Sequence, residues 1–422
     1  MNWVSISPAL ILHLVNERRV LGLDELCFWH YAKSIIGGLE MENPFVYGRI
    51  VSGAEFFGRA ELIARIQKYI RAGQNIVVFG ERRMGKTSLI GEAIRRLGLP
   101  CLKVDFYEVR AEREMLNRAI RGIEKLEKES PFFMRWMARG KRARGRLKQE
   151  FDQPSMVPTV SLEGYFKEPV SSITDLLDYV QDFHTEKPLV AFFDEFQGLL
   201  GLENAMDILA TMRSEIQTQG ATPYVFAGSI RRKMHEIFMD PKHPFYKSAI
   251  PIEIGPIEFA EIGPIVIRLF KSGSRSVTPE LLAGMYGMLY GNTGDFQHLC
   301  SALWEASQPG QTLNQDVLQE ALDLVWETEL PFYADIRNGL TKQQRTVLQT
   351  LALTDGKEPF GNRFRAIAGN ISPGTIQKAL ARLEELDLVF QPHNSKDYRF
   401  YAPFFKLWLV HQIVYPTKML IK

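Results

Sequence analysis

From Phe45 to about Ile254, short apolar runs alternate with longer stretches whose apolar residues recur at helical spacing. The runs Ile76–Phe79, Leu102–Phe106, Val190–Phe193, Tyr224–Ala227 and Ala249–Ile254 read as strands covered on both faces. Strand and helix in alternation predict an α/β domain built on a largely parallel sheet. A longer, more polar insertion separates the second strand from the third. Within it Glu112–Lys128 reads as a charged helix, and Ser172–His184 as the helix leading into the third strand. From Pro256 to Glu329 the pattern is helical throughout, broken at Gly291-Asn292-Thr293-Gly294, which predicts a small helical lid. A third pattern begins at Leu340. Thr341 is positioned to cap a first helix, a second covers Arg363–Ala368, and a third starts at Ser372 and carries Ile376, Leu380, Leu383 and Leu386 on one face. Leu388–Phe390 and Tyr398–Tyr401, joined by a turn at His393–Asp397, complete a β-hairpin, so this unit reads as a winged helix. The expected divisions are 1–44 (an N-terminal extension), 45–255, 256–335 and 336–422.

At 422 residues, with a net charge of +2, the chain has room for two or three domains, and its bulk charge singles out no partner. The charge is uneven, however. From Leu340 onward 12 Lys/Arg stand against 6 Asp/Glu, while the rest of the chain holds 39 against 43. A basic C-terminal module leans toward nucleic acid. Cys27, Cys101 and Cys300 show no metal or redox spacing, which suits a reducing cytoplasm. No apolar run approaches a membrane span. Pro8–Val15 is too short for a secretory signal and lacks its basic front end. Met41 looks like a natural chain start, so residues 1–40 are expected to be a short helical extension or an over-extended upstream start. Arg135, Arg139, Lys141, Arg142, Arg144, Arg146 and Lys148 crowd beside Phe132, Phe133 and Trp136. Such a cluster can bind a phosphate backbone with its aromatics stacked on bases, or form a solvated loop.

The densest chemical signal is Gly80-Glu81-Arg82-Arg83-Met84-Gly85-Lys86-Thr87-Ser88, which fits G-x-x-x-x-G-K-[ST] and lies between an apolar strand and an amphipathic helix. Strand, glycine loop and helix together allow backbone N–H groups and a helix N-terminus to cradle phosphate. Lys86 would reach the β- and γ-phosphates of ATP, and Thr87 would offer its hydroxyl to Mg²⁺. The strand Leu189–Phe193 ends in Asp194-Glu195. In a nucleotide-binding sheet that edge meets the metal and the attacking water, so Asp194 is the candidate metal group and Glu195 the candidate water-orienting base. Ser229, after the strand Tyr224–Ala227, could bond the γ-phosphate or the water, or cap a helix. Arg231 and Arg232 could add positive charge nearby.

In this order, these pieces resemble the AAA+ superfamily, and within it the archaeal-type ATPase branch of the STAND group, over Phe45 to about Trp408. Phe56-Phe57-Gly58-Arg59-Ala60-Glu61-Leu62 is similar to the family's F-x-G-R-x-x-E/L box, which implies that Phe57, Gly58 and Arg59 help frame the adenine. Gly80–Ser88 carries the family's double arginine, Asp194-Glu195 its acidic motif and Ala227-Gly228-Ser229 its sensor-1 strand end. His243-Pro244-Phe245-Tyr246 resembles P-L-Y, and Ala402–Trp408 the family's C-terminal close. The chain departs from the pattern twice. Ser248, beside Lys247, stands where relatives often carry an arginine that acts on a neighbouring subunit, and Gln297 stands at the sensor-2 arginine of Thr293–Gln297. An arginine finger contributes orders of magnitude to turnover, so slow intrinsic hydrolysis is expected.

The winged helix leaves two readings open. Thr375, Gln377, Lys378 and Arg382 could face a DNA major groove, with Lys396 or Arg399 on phosphate. Alternatively the unit packs against protein, since Glu384, Glu385 and Asp387 would repel phosphate. For the whole chain the expectations are a slow Mg²⁺-dependent ATPase, or a regulatory module whose ATP or ADP occupancy sets DNA binding, a protein partner or homo-oligomeric assembly. A kinase or GTPase is disfavoured, because neither an acceptor-binding signature nor an N-K-x-D guanine reader is present.

Overall fold

The computed structural model describes residues 42–129, 149–151, 158–160, 169–229, 231–392 and 395–414. The expectations for residues 1–40, for the basic cluster 135–148 and for His393 and Asn394 lie outside the described residues. The chain divides into two compact units, one spanning Ile50–Gly255 and the other formed by Pro256 onward with the segment ending at Arg49.

The first unit has a five-stranded parallel sheet in the order β2-β5-β6-β1-β7. Its strands are β1 (Ile76–Phe79), β2 (Cys101–Asp105), β5 (Val190–Asp194), β6 (Tyr224–Gly228) and β7 (Ile250–Glu253). Strand periodicity sorts their side chains into two cores. Ile76, Val78, Val190, Phe192, Val225 and Ala227 meet α1 (Ala60–Arg71) and α2 (Lys86–Leu97) through Ile63, Ile66, Leu89 and Ile90. Val77, Ala191, Phe193, Tyr224 and Phe226 meet α3 (Glu112–Glu129), α4 (Pro169–Glu186) and α5 (Ala205–Thr218) through Met115, Leu177, Val180 and Leu209. The central strands β1, β5 and β6 are buried on both sides, which is why they read as nearly continuous apolar runs, whereas the edge strands β2 and β7 keep exposed polar positions. The insertion adds a short antiparallel hairpin, β3 (Gln149–Phe151) with β4 (Pro158–Val160), which the polar sequence did not signal. Helix α6 (Arg231–Met239) follows β6.

The second unit is helical. It comprises α7 (Phe259–Ser272), α8 (Pro279–Met288), α9 (Thr293–Glu305), α10 (Gln315–Gly339), α11 (Lys342–Leu353), α12 (Asn362–Ile367), α13 (Pro373–Glu385), the hairpin β8 (Val389–Phe390) with β9 (Arg399–Phe400), and α14 (Pro403–Val414). Thr341 and Gln344 form a capping box on α11, and Ser372 caps α13 by accepting from the Thr375 N–H. Trp326 of α10 donates its indole N–H to the Phe404 carbonyl, and Tyr333 packs on Phe405 and Trp408, which ties the lid helices to the winged helix. Helix α10 therefore runs unbroken across the expected division at 335. The expected division at Phe45 differs as well. Asn43 bonds the Ser301 carbonyl at 3.1 Å, and the Phe45 ring packs on Phe270 and Trp304, so residues 42–49 join the helical unit.

Candidate functional site

The sheet order brings the C-terminal ends of β1, β5 and β6 side by side, and each leads into polar residues. After β1 the chain must turn closely past β7. A Cβ at Gly80 would sit 2.4 Å from the Ile254 carbonyl oxygen, so only glycine fits. Arg83 and Gly85 then adopt left-handed conformations (φ 62° and 77°) that carry the chain into α2. Helix α2 opens at Gly85 without a side-chain cap, and a Cβ there would meet nothing within 4 Å. The result is an open helix N-terminus whose partial positive charge favours an anion. Met84 is buried in the core under the loop, Glu81 is half-buried, and Arg82 and Arg83 are exposed.

Lys86 is buried and donates to the Gly80 and Glu81 carbonyls at 2.9 and 2.8 Å. Burial pushes its ammonium down to about 8, with the Glu195 and Asp194 carboxylates pulling the other way. Thr87 donates its hydroxyl to Asp194 Oδ2 at 2.8 Å. Ser88 accepts from the Val51 N–H at 3.2 Å. The loop is braced from below by Arg59, a buried left-handed residue (φ 61°) whose guanidinium donates to the Met84 and Gly255 carbonyls, both at 2.9 Å. Gly58 before it is also left-handed (φ 77°), and Phe57 is half-buried.

Asp194 is buried and Glu195 follows it with φ 48°, a conformation that costs a β-carbon-bearing residue about 1–2 kcal/mol. That turn throws the Glu195 side chain toward β6. There Oε2 accepts from the Ser229 hydroxyl at 2.7 Å and from the Gln197 amide. Gly228 makes room, since a Cβ there would fall 2.3 Å from Gln197 Oε1. The aromatic rings of Phe193, Phe196, Phe226, Phe238 and Phe245 pack beneath these residues.

The structure thus assembles Lys86, Thr87, Asp194, Glu195 and Ser229, which the sequence singled out. The side chains of Arg231 and Arg232 lie outside what is described. Three further participants carried no motif signal. Lys103 of β2 forms an ion pair with Asp194 Oδ2 at 3.0 Å, and Gln197 holds Glu195. Glu92, fully buried on α2, accepts from the Gly53 N–H at 2.9 Å and is clasped by Arg95 and Arg96. The Arg95 guanidinium holds its carboxyl down at about 2. Of these, Lys103 was the most visible, as the one charged residue inside an otherwise apolar strand core.

The candidate DNA face is split. Gln377, Lys378 and Lys396 are exposed, and Thr375 is half-buried with its hydroxyl on Ser372. Arg382 pairs with Glu385 at 2.9 Å, and Arg399 lies over the Tyr290 ring.

Comparison with known proteins agrees with this geometry. Residues 56–229 match a family profile described as an ATPase domain predominantly from Archaea. Residues 331–411 match one described as "Probable winged helix domain". The chain carries an archaeal-type ATPase domain and a winged helix domain. Its fold is that of P-loop AAA+ ATPases, a parallel sheet flanked by helices. A Walker-type ATPase from Pyrococcus abyssi is similar over 84% of this chain and 96% of that one, at 17% identity and a TM-score of 0.54. The ORC2 protein of Aeropyrum pernix, solved in ADPNP and ADP complexes, is similar over 89% of this chain and 98% of its own, at 13% identity and a TM-score of 0.50. No curated protein sequence matches. Among the described residues, no helix is long and apolar enough to cross a membrane.

Proposed function

We propose that this protein is a slow Mg²⁺-dependent ATPase that works as a nucleotide-gated switch, with the winged helix as its output module. One observation carries the reading: Glu195, the group that would orient water, is held by Ser229 and Gln197 instead of standing free. The residues fit the nucleotide and its metal. An uncapped helix start and a buried lysine suit phosphates, and a hydroxyl beside a carboxylate suits a hard cation that takes its remaining ligands from phosphate and water. Mg²⁺, when bound, neutralises charge developing on the phosphate oxygens. The chain's own part is then simple. Lys86 turns from the Gly80 and Glu81 carbonyls to the phosphates, Thr87 and Asp194 hold the cation, and Glu195 swings from Ser229 to accept a proton from water. Ser229 remains within reach of the same water. Phe57, Gly58 and Arg59, with the segment pinned by Glu92, form the wall suited to the base.

The expected compartment is the cytoplasm, and membership of the STAND group is part of the same proposal. Ser248 and Gln297 stand at places where arginines would speed turnover, which supports slow hydrolysis without a partner. A second reading, in which ATP or ADP occupancy alone sets assembly or DNA binding, is favoured by the same closed carboxylates. Because Arg382 and Arg399 are engaged within the unit, a protein partner or a second copy suits the winged helix at least as well as DNA. Phosphate release by wild type and Glu195→Gln separates the two readings. The variant is expected to fall about 100-fold or more, and an unchanged rate would refute the assigned role of Glu195. Wild-type turnover of many ATP molecules per second without a partner would refute the slow switch. Titrating duplex DNA with ATP or ADP present tests the output module.

A further inference from the structure

Lys103 has no place in the chemistry above, yet it touches its centre. Strand β2 lies at the sheet edge beside β5, with Lys103 opposite Phe192 and Asp105 opposite Asp194. Side chains two apart on a strand share a face, so the lysine runs along the sheet surface toward Asp194. Its ammonium lies over the Phe192 ring, with Nζ 5.3 Å from the ring centroid, and reaches Asp194 Oδ2 at 3.0 Å. That oxygen is also the one that accepts the Thr87 hydroxyl. One carboxylate oxygen therefore carries both the hydroxyl and the ammonium.

We propose that Lys103 is a resident cation that competes with the divalent metal for Asp194, setting how much metal this site needs before nucleotide is held tightly. The inference rests on the nucleotide-site reading above. A buried carboxylate needs a positive partner. Without metal, Lys103 supplies it. A divalent metal held by Thr87 and Asp194 would bring two positive charges to an oxygen already neutralised by one, and the Lys103 ammonium would have to withdraw toward solvent, to which its side chain is one-third exposed. Withdrawal breaks an ion pair, and that cost is subtracted from metal affinity. The nucleotide-free form is stabilised by the same amount, so the lysine biases the switch toward its empty state.

Two substitutions separate charge from packing. Lys103→Met keeps an unbranched flexible stem and removes the charge, whereas Lys103→Arg keeps the charge. Mn²⁺ binding in the presence of ADP, counted from the paramagnetic resonance of free Mn²⁺, gives the midpoint directly. Lys103→Met is expected to lower the Mn²⁺ midpoint roughly tenfold, on the scale by which a neighbouring charge moves a carboxylate equilibrium. Lys103→Arg should stay near wild type. A midpoint unchanged in Lys103→Met, with ADP and Mn²⁺ binding intact, overturns the proposal. A second measurement needs no nucleotide. In the metal-free protein Lys103→Met should lower the melting temperature, and should lower it much less in an Asp194→Asn background, where no carboxylate remains to be neutralised. Equal losses in both backgrounds also overturn the proposal. If wild type and both variants hold no ADP at all, the nucleotide-site reading falls and takes this one with it. That outcome is recognisable because the melting coupling between Lys103 and Asp194 would persist.

Discussion

Lys86 is expected to weaken the empty protein that it equips for phosphate. Its ammonium is buried among loop carbonyls, and burial lowers its ionisation from 10.5 to about 8. At about 1.4 kcal/mol per pH unit, holding the proton below that value costs the fold about 3 kcal/mol. Lys86→Met removes the charge and keeps an unbranched stem of similar length. Against the gain stand the lost hydrogen bonds to the Gly80 and Glu81 carbonyls, while the attraction to Glu195 and Asp194 is already contained in the net shift. We therefore expect Lys86→Met to be more stable than wild type by about 1–2 kcal/mol at pH 7. The sign with pH follows from the direction of the shift. Between about 8 and 10.5 the unfolded chain keeps a proton that the folded chain has released, so wild-type stability rises relative to the variant through that window. Urea unfolding followed by tryptophan fluorescence at pH 7 to 10 measures both quantities. Adding ATP with Mg²⁺ should stabilise wild type alone, by RT ln(1 + [L]/Kd). A difference between the two proteins that stays constant from pH 7 to 10 would refute the reasoning.

Other positions give sharper structural tests. Glu92 behaves oppositely to Lys86. Its carboxyl is held at about 2 against 4.5, chiefly by the Arg95 hydrogen bond. The shift sets a ceiling of about 3 kcal/mol, which water around the half-exposed guanidiniums reduces to about 1–2. Because the folded value is depressed, that stability is present above pH 4.5 and fades as pH falls toward 2. Wild type and Glu92→Gln should accordingly approach each other in acid unfolding titrations as pH falls from 4.5 toward 2, and a gap as wide at pH 2 as at pH 6 would count against the ion-pair account. Gly80→Ala places a Cβ 2.4 Å from a backbone oxygen and should cost about 1–3 kcal/mol in denaturant unfolding. Retention of full stability would mean that β1 and β7 are free to separate there.

The strands were legible because burial makes the central ones, β1, β5 and β6, nearly continuous apolar runs, and all five differ from expectation by a residue or less at each end, as with Ile76–Phe79 and Val190–Asp194. The helices of the winged helix announced themselves through capping chemistry, since Thr341 and Ser372 are local signals that need no tertiary partner. Boundaries between units were less legible for the opposite reason. Nothing within residues 42–49 records that Asn43 will find Ser301 or that Phe45 will find Phe270, and α10 carries its apolar face through residue 335 because both ends have partners in the same unit.

The candidate site divides along the same line. Gly80–Ser88 and Asp194-Glu195 are contiguous in the chain, so spacing alone reveals them. Lys103, Gln197 and Glu92 enter through sheet order, a turn and a helix face, none of which has a spacing rule. Arg59 shows how far the local signal reaches. The motif marked it as a residue of the nucleotide wall, and the fold uses its guanidinium on the Met84 and Gly255 carbonyls, which join the phosphate loop to the end of β7. An arginine held by two carbonyls is a brace whose value depends on both anchors staying put. Both bonds come from the one nitrogen Nη2, and a lysine ammonium ends one bond short of that position, so Arg59→Lys should loosen the loop while leaving the charge in place. The chemistry of this loop thus depends on residues that its own motif does not contain.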